Sequence, residues 1–454
     1  MTTVQHVKGL GHFVLASLVS CVSSRPTPAR IAPPLESAKP VLPGTAAGRT
    51  LAEWLDAFNS GDPSRMKEVA TRLEDPAARR IVNVREETGG FDLVSIEKSE
   101  PRSITFVVKE KLTGMQQIGW LRVADGEPAV IESFLFVGIP PGQTAADIHI
   151  EIDAATPARI VDAIAKTLND KYVYPELAKT MEQSVRSHLA RGDDKAIASG
   201  PELASALTLQ LQEAGHDRHV RVEWVARTAP AGDTKPDEEE KRARAQLERI
   251  NCSFAKPERL AGNIGYIRFD TFGRADQCGA KATEAFASLG DVDALIFDLR
   301  ENGGGDVEMI TYVESYLFAT RTHLDDLYTR EDNSTDPMWT NPDLPGKKYA
   351  TQPVYILTAA RTFSGAEAFA YELQSVKRAT IVGEVTGGGA HPSRSFPLDE
   401  HFSLVVAVQR AINPVTKTDW EGVGVQPDVK VPAADALEKA KQLAADALAN
   451  HRAK

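Results

Sequence analysis

The chain has 454 residues and, with 52 Lys and Arg against 63 Asp and Glu, a formal net charge of −11; 42% of the residues are hydrophobic and 25% charged. That composition is ordinary for a soluble globular protein of two or three domains and excludes a fibrous or wholly disordered chain. An acidic balance with no block of about five or more basic residues leaves no electrostatic footprint for a phosphate backbone, so nucleic acid is not an expected partner.

No stretch approaches the ~20 apolar residues of a spanning helix, so the body of the chain is not expected in a membrane. The N-terminus differs. Lys8, the apolar run Phe13 to Val19 and then Ser20-Cys21 resemble a bacterial secretory signal ending in a lipoprotein box, with Cys21 as the lipidation candidate. The alternative is a disordered leader. Residues 22–47, with Pro26, Pro28, Pro33, Pro34, Pro40 and Pro43, read as a tether. The expectation is an exported protein, periplasmic or on the outer surface, touching a membrane only through a lipid on Cys21. Cys252 and Cys278 then remain as a disulfide candidate or two buried thiols.

Residues 48–142 open with Leu51, Trp54, Leu55 and Phe58 at helical spacing, and Gly61-Asp62-Pro63 ends that helix. Strands are expected at Phe91 to Ile96, Ile104 to Val108, Ile118 to Val123 and Ile131 to Val137. This order resembles the cone-shaped α+β fold of the nuclear-transport-factor-2-like superfamily. The segment holds no His/Asp pair for acid/base work, so a noncatalytic role is expected. Residues 150–230 read as a helical subdomain followed by a strand near His219 to Val225. Residues 231–252 read as a charged linker helix with a solvated face, too short to hold a further peptide-binding domain of ordinary size. From 253 to 435 apolar strands alternate with helices, an α/β core with ligands expected beyond the strand C-termini. Residues 436–454 read as a C-terminal helix.

Three loops of that core could carry chemistry. Asn302-Gly303-Gly304-Gly305 follows the strand ending at Leu299, where its amides could form half of an oxyanion hole; no Lys-Ser/Thr follows, which disfavours a phosphate loop. Ser364 opens the helix Gly365 to Leu373, a position that suits an N-cap or a nucleophile. His391 lies in the glycine-rich loop beginning at Gly387.

The phrases "IGYIRFDTF", "DALIFDLRENGGGD", "ILTAARTFSGAEAFAYELQ", "RATIVGEVTGGGAHP" and "WEGVGVQPDV", in this order, resemble the S41 family of serine peptidases. That family includes the C-terminal processing proteases, the tricorn core proteases and the interphotoreceptor retinoid-binding protein repeats. The resemblance covers about Thr156 to Val431. It implies a crotonase/Clp-like α/β core with a helical subdomain, and it places the nucleophile at Ser364, ahead of Glu367. The processing proteases use a Lys 25 residues after the nucleophile, and here that position is Gly389. The tricorn-like branch uses a His before a strand. His219 in "GHDRHVRVEW" matches it, although Arg218 stands where that branch has Ser. Glu421, 57 residues after Ser364, matches the orienting acid.

These residues describe a serine peptidase with Ser364 as nucleophile, His219 as base and Glu421 as orienting acid. Gly304, Gly305 and Gly365 are the oxyanion donors, and His391 is an alternative base or substrate contact. No metal or organic cofactor is implied; His216 with His219 lacks a third ligand cluster in the sequence. The expected partner is a peptide or protein substrate. A noncatalytic binder of a small apolar ligand or peptide on the same fold, and a nonpeptide esterase or amidase, are the alternatives. The sequence does not set the oligomeric state.

Overall fold

The computed structural model describes residues 40–452 other than 71–84, 125, 127, 140–141, 149–150, 198, 226–243 and 245–246. The expected leader with Cys21, most of the tether and most of the charged segment 231–252 lie outside the described residues.

Helix α1 (Ala46–Ser60) starts where the Thr45 hydroxyl accepts the Gly48 N–H and stops at Gly61 in the left-handed conformation. Short helices α2 (Pro63–Ala70) and α3 (Arg85–Thr88) follow. Strands β1 (Phe91–Ser99), β2 (Ser103–Glu110), β3 (Gln116–Val123) and β4 (Ile131–Gly138) then form an antiparallel meander. Leu51, Trp54, Leu55 and Phe58 pack on one face of this sheet against Ile104, Phe106, Leu121 and Phe134. The other face buries Val107, Ile118 and Trp120 with Ile139 and Ile148, and meets Trp224 of the following unit.

Helices α4 (Thr156–Lys171), α5 (Pro175–Arg191) and α6 (Gly200–Gly215) carry their apolar stripes into one core with β5 (Arg221–Trp224) and β14 (Phe402–Ala407). His216 caps α6 from the left-handed region, its N–H donating to Gln212 O. It is solvent-exposed there and belongs to a helix end, not to a ligand set.

The α/β core is a six-stranded sheet of order β16-β12-β11-β8-β7-β6. Its members are β6 (Glu258–Leu260), β7 (Ile264–Arg268), β8 (Ala294–Asp298), β11 (Val354–Thr358), β12 (Thr380–Gly383) and β16 (Val429–Lys430). Every neighbouring pair is parallel except β6 with β7. All five residues of β8 and of β11 are buried, the continuous apolar pattern of strands covered on both faces. Helices α7 (Ala275–Leu289), α8 (Val307–Glu314) and α9 (Gly365–Ser375) cover one face. Helix α10 (Ala436–Arg452) lays Ala436, Ala440 and Ala444 on the other. A disulfide joins Cys252 to Cys278, with Cα atoms 5.8 Å apart, and ties the segment before β6 to α7.

Two small antiparallel sheets complete the chain. One has the order β10-β9-β15, from β9 (His323–Thr329), β10 (Ser334–Trp339) and β15 (Gln409–Ala411); the other has the order β13-β14-β5, with β13 at Ser393–Pro397. In the latter, Leu404 pairs with Val222 and Phe402 with Trp224. That pairing draws the turn before β5, which carries His219, onto the loops at the C-terminal edge of the large sheet.

Candidate active site

Ser364 ends the loop after β11 and begins α9 with φ 52° and ψ −120°, left-handed backbone that a residue with a Cβ occupies only when its surroundings impose it. The surroundings are specific. The Ser364 N–H donates to Glu367 Oε2 at 2.8 Å. The buried Glu367 carboxylate also accepts the amides of Gly388 at 2.7 Å and Gly389 at 2.8 Å, and the Thr386 hydroxyl. Burial raises the Glu367 pKa, while these donors pull it back. One side chain thus fixes both the serine and the glycine turn beside it.

His219 Nε2 lies 3.1 Å from Ser364 Oγ, within hydrogen-bonding reach of the hydroxyl proton. The imidazole is 8% exposed and packs on the Phe363 ring, with centroids 4.8 Å apart. Gly389, where the processing proteases place their Lys, faces the same imidazole. A Cβ there would stand 2.6 Å from His219 Cε1 and 2.4 Å from Phe363 Cζ. The base supplied by the turn before β5 therefore fills the space into which a side chain at 389 would project. Arg218, at the position of the branch's Ser, donates to Gly387 O at 3.0 Å and covers the outer face of Phe363.

Asp217 is the residue that sequence reasoning passed over. Its Oδ1 accepts the His219 N–H at 2.8 Å and lies 3.6 Å from His219 Nδ1. Its Oδ2 accepts the Tyr172 hydroxyl at 2.9 Å and meets His391 Nδ1 at 3.2 Å. Burial opposes its charge, yet the bonds from His219 and His391 hold its pKa well below the usual carboxylate range. Tyr172, buried and beside that charge, has its pKa raised and stays a neutral donor.

Glu421, expected to orient the base, makes a different set of contacts. It accepts the Ala390 N–H at 2.5 Å and lies 3.4 Å from His391 Nδ1. Burial, with the charge of Asp217, pushes its pKa up to about 8 against the opposing pull of His391. Asp217 and Glu421 are thus pushed in opposite directions, Asp217 toward the charged form and Glu421 toward the neutral one. A ring nitrogen of His219 and one carboxylate oxygen from each of Asp217 and Glu421 still fall within 4.8 Å of one another, a spacing that a cation could bridge. His391 is 2% exposed and points its Nδ1 at these acids, not at Ser364. Burial works against its charge, but the Asp217 hydrogen bond and the charges of Glu421 and Asp217 raise its pKa overall.

The oxyanion donors need one correction. Gly304, expected to donate, spends its N–H on Asn302 Oδ1 at 2.8 Å. Asn302 is fully buried, bonded through Nδ2 to Phe269 O, and its own carbonyl accepts the Phe363 N–H. It locks the loop after β8 to the loop after β11. The amides of Gly305 and Gly365 make no hydrogen bond among the described residues and stand together: a Cβ on Gly365 would be 3.0 Å from Gly305 N. Two adjacent N–H groups beside a serine at a helix start are the donors such a site needs.

Residues 263–431 match the family model described as peptidase family S41, and residues 144–255 match the model described as the N-terminal domain of Peptidase_S41 in eukaryotic IRBP; together they span more than half of the chain. The chain belongs to peptidase family S41. It is 24% identical over 379 residues to carboxyl-terminal-processing peptidase 2, chloroplastic, of Arabidopsis thaliana, covering 81% of this chain and 60% of that protein. It is 28% identical over 178 residues to the chloroplastic C-terminal processing peptidase of Tetradesmus obliquus, covering 37% of this chain and 35% of that one. The S41 chain thus spans less than two thirds of the length of these relatives. Among solved structures, the tricorn protease aligns with 80% of this chain and 42% of its own at 14% identity and a TM-score of 0.45. The photosystem II D1 C-terminal processing protease aligns with 62% of this chain and 94% of its own at 17% identity and a TM-score of 0.40.

Proposed function

We propose that this S41 chain is a serine peptidase that cleaves peptide bonds of peptide or protein substrates through an acyl-enzyme, by a His-based, tricorn-like route. The observation that carries the reading is the 3.1 Å approach of His219 Nε2 to Ser364 Oγ beside the Gly305 and Gly365 amides. Ser364 Oγ attacks the carbonyl carbon while His219 Nε2 takes its proton, and the oxyanion is held by the two amides. Asp217 supports the resulting imidazolium at Nδ1, with Glu421 behind it. Collapse breaks the C–N bond as His219 returns the proton to the leaving amine; a water deprotonated by His219 then cleaves the ester and frees Ser364. A hydroxyl with no base at 389 has this histidine as its activator.

The chain divides in this reading into a leader and tether (1–47), a small α+β domain (48–142), a helical subdomain (150–230), a charged linker (231–252), a catalytic core (253–435) and a terminal helix. The small domain guides substrates or partners. Export with lipidation at Cys21 is part of the proposal, supported by the Cys252–Cys278 disulfide, which suits an oxidising compartment. The test is digestion of a denatured protein and a peptide library followed by mass spectrometry. New termini produced by the wild type and absent with Ser364→Ala support the reading. A folded wild type that releases no product from either substrate contradicts it.

A further inference from the structure

We infer that the site has a binding position for a zinc-like divalent cation, held by His219, Asp217 and Glu421, and that occupancy blocks catalysis by fixing the wrong tautomer of His219. Donor atoms of these three residues lie within 4.8 Å of one another. His219 Nε2 faces Ser364, which leaves Nδ1 as the ring nitrogen available on the acidic side. That Nδ1 has no hydrogen-bond partner although the residue is 8% exposed, and Glu421 Oε1 is likewise buried without one. Unpaired buried polar atoms are costly in a native site, and a cation bound in this acidic pocket would satisfy both of these.

The chemistry of the donors selects the ion. One imidazole and two carboxylates form a zinc donor set, with bonds of about 2.0–2.2 Å, which in a tetrahedron puts ligand atoms roughly 3.3–3.6 Å apart. Nδ1 and Asp217 Oδ1, at 3.6 Å, already have that spacing. A carboxylate oxygen of Glu421 has to close by about 1 Å on the same geometry. Glu421 is also the most exposed of the three side chains, at 16%, so the ion enters past it. Tyr172 and His391 hold the second oxygen of Asp217, the kind of outer support that orients a ligating carboxylate. Hard cations such as Mg²⁺ prefer oxygen ligands and do not compete for the imidazole.

The inhibition follows from the imidazole's single proton. As a neutral base His219 carries it on Nδ1 and keeps the Nε2 lone pair for Ser364. An ion on the Nδ1 lone pair moves that proton to Nε2, where it points at Ser364 Oγ and leaves nothing to accept the hydroxyl proton. This consequence rests on the peptidase reading, whereas the binding itself does not, and two separate measurements keep them apart.

Equilibrium dialysis of the full chain against ZnCl2 is expected to show one more equivalent bound by the wild type, and by Ser364→Ala, than by His219→Gln, with at least tenfold weaker binding by Glu421→Gln. MgCl2 should not displace it. Fluorophosphonate labelling of Ser364 should fall in step with occupancy and return with a chelator. Equal zinc uptake by the wild type and by both His219→Gln and Glu421→Gln, each shown to be folded by circular dichroism, would overturn the site. Bound zinc that leaves labelling unchanged would overturn the tautomer block. A wild type that does not label even without zinc counts against the peptidase reading, while dialysis still decides the site.

Discussion

Gly389→Ala is the sharpest test of how the base is housed. The new methyl would lie 2.4 and 2.5 Å from Phe363 Cζ and Cε2 and 2.6 Å from His219 Cε1. Carbon atoms in contact sit about 3.5–4.0 Å apart, so both rings must retreat by about 1 Å. Phe363 is backed by the Arg218 guanidinium 5.3 Å above its ring, and His219 stacks on it. Relief therefore moves the imidazole and lengthens its 3.1 Å contact with Ser364 Oγ beyond hydrogen-bonding range. Overpacking of this kind costs about 1–3 kcal/mol of stability. A displacement of about 1 Å at the reacting atoms costs on the order of 10²-fold in rate. Gly303→Ala is the matched control, since a methyl there meets no atom within 4 Å. The assay is the rate of Ser364 labelling by a fluorophosphonate, with thermal unfolding run in parallel. A folded Gly389→Ala that labels within twofold of the wild type, or a Gly303→Ala that loses as much, would refute the argument.

Further expectations follow from other parts of the site and core. Asp217→Asn keeps the size of the side chain but removes the charge beside His219 Nδ1, and should lower kcat by roughly 10²–10⁴ with little change in KM; steady-state kinetics that match the wild type would dismiss Asp217 from the mechanism. Glu367→Gln places an amide against either the Thr386 and Gly388 donors or the Ser364 and Gly389 donors, and at about 1–3 kcal/mol for each unpaired group it should unfold at a visibly lower temperature. Serine at Cys252 and Cys278 opens a crosslink spanning 26 residues and should cost about 3.5 kcal/mol by the chain-entropy relation, read by denaturant titration. Glu314, Glu372 and Asp325 are buried together, and burial raises all three pKa values, that of Asp325 from its ordinary 3.8 to about 7. The folded state thus holds protons that the unfolded chain has released. The Asp325 contribution is complete below about pH 4 and is lost as pH rises to about 7, at up to ~1.4 kcal/mol per pH unit. Asp325→Asn should flatten the pH dependence of the melting temperature across that window, and an unchanged profile would contradict the assignment.

The large sheet was legible because its central strands carry apolar runs, Ala294 to Phe297 and Val354 to Leu357, between helical patterns. The first helix showed itself in the spacing of Leu51, Trp54, Leu55 and Phe58 for the same reason, a face turned to one core. Strands β9, β10, β13 and β15 were not anticipated. They are short or largely polar, β10 contains Pro337, and β15 pairs with β9, far back in the sequence. At the site, the resemblance to the family motifs, not local position alone, singled out Ser364 and His219, since a serine at a helix start is usually an N-cap. The work of Asp217 could not be picked out, since its partners Tyr172 and His391 are 45 and 174 residues away and only the fold brings them to it. Nor does a run of three glycines reveal which amide is spare. Asn302 folding back onto Gly304 decides that, and leaves Gly305. The resemblance named His219 as the substitute for the missing Lys, but not that its ring occupies the space beside Gly389.

The central claim is that Ser364 is a nucleophile activated by His219. Reaction of the full chain with a fluorophosphonate, followed by tryptic mapping, tests it directly in the wild type, Ser364→Ala and His219→Ala. The account predicts a single adduct on the peptide containing Ser364, abolished by the first substitution and slowed at least a hundredfold by the second. A folded wild type that forms no adduct, or an adduct whose rate is indifferent to His219, would contradict it.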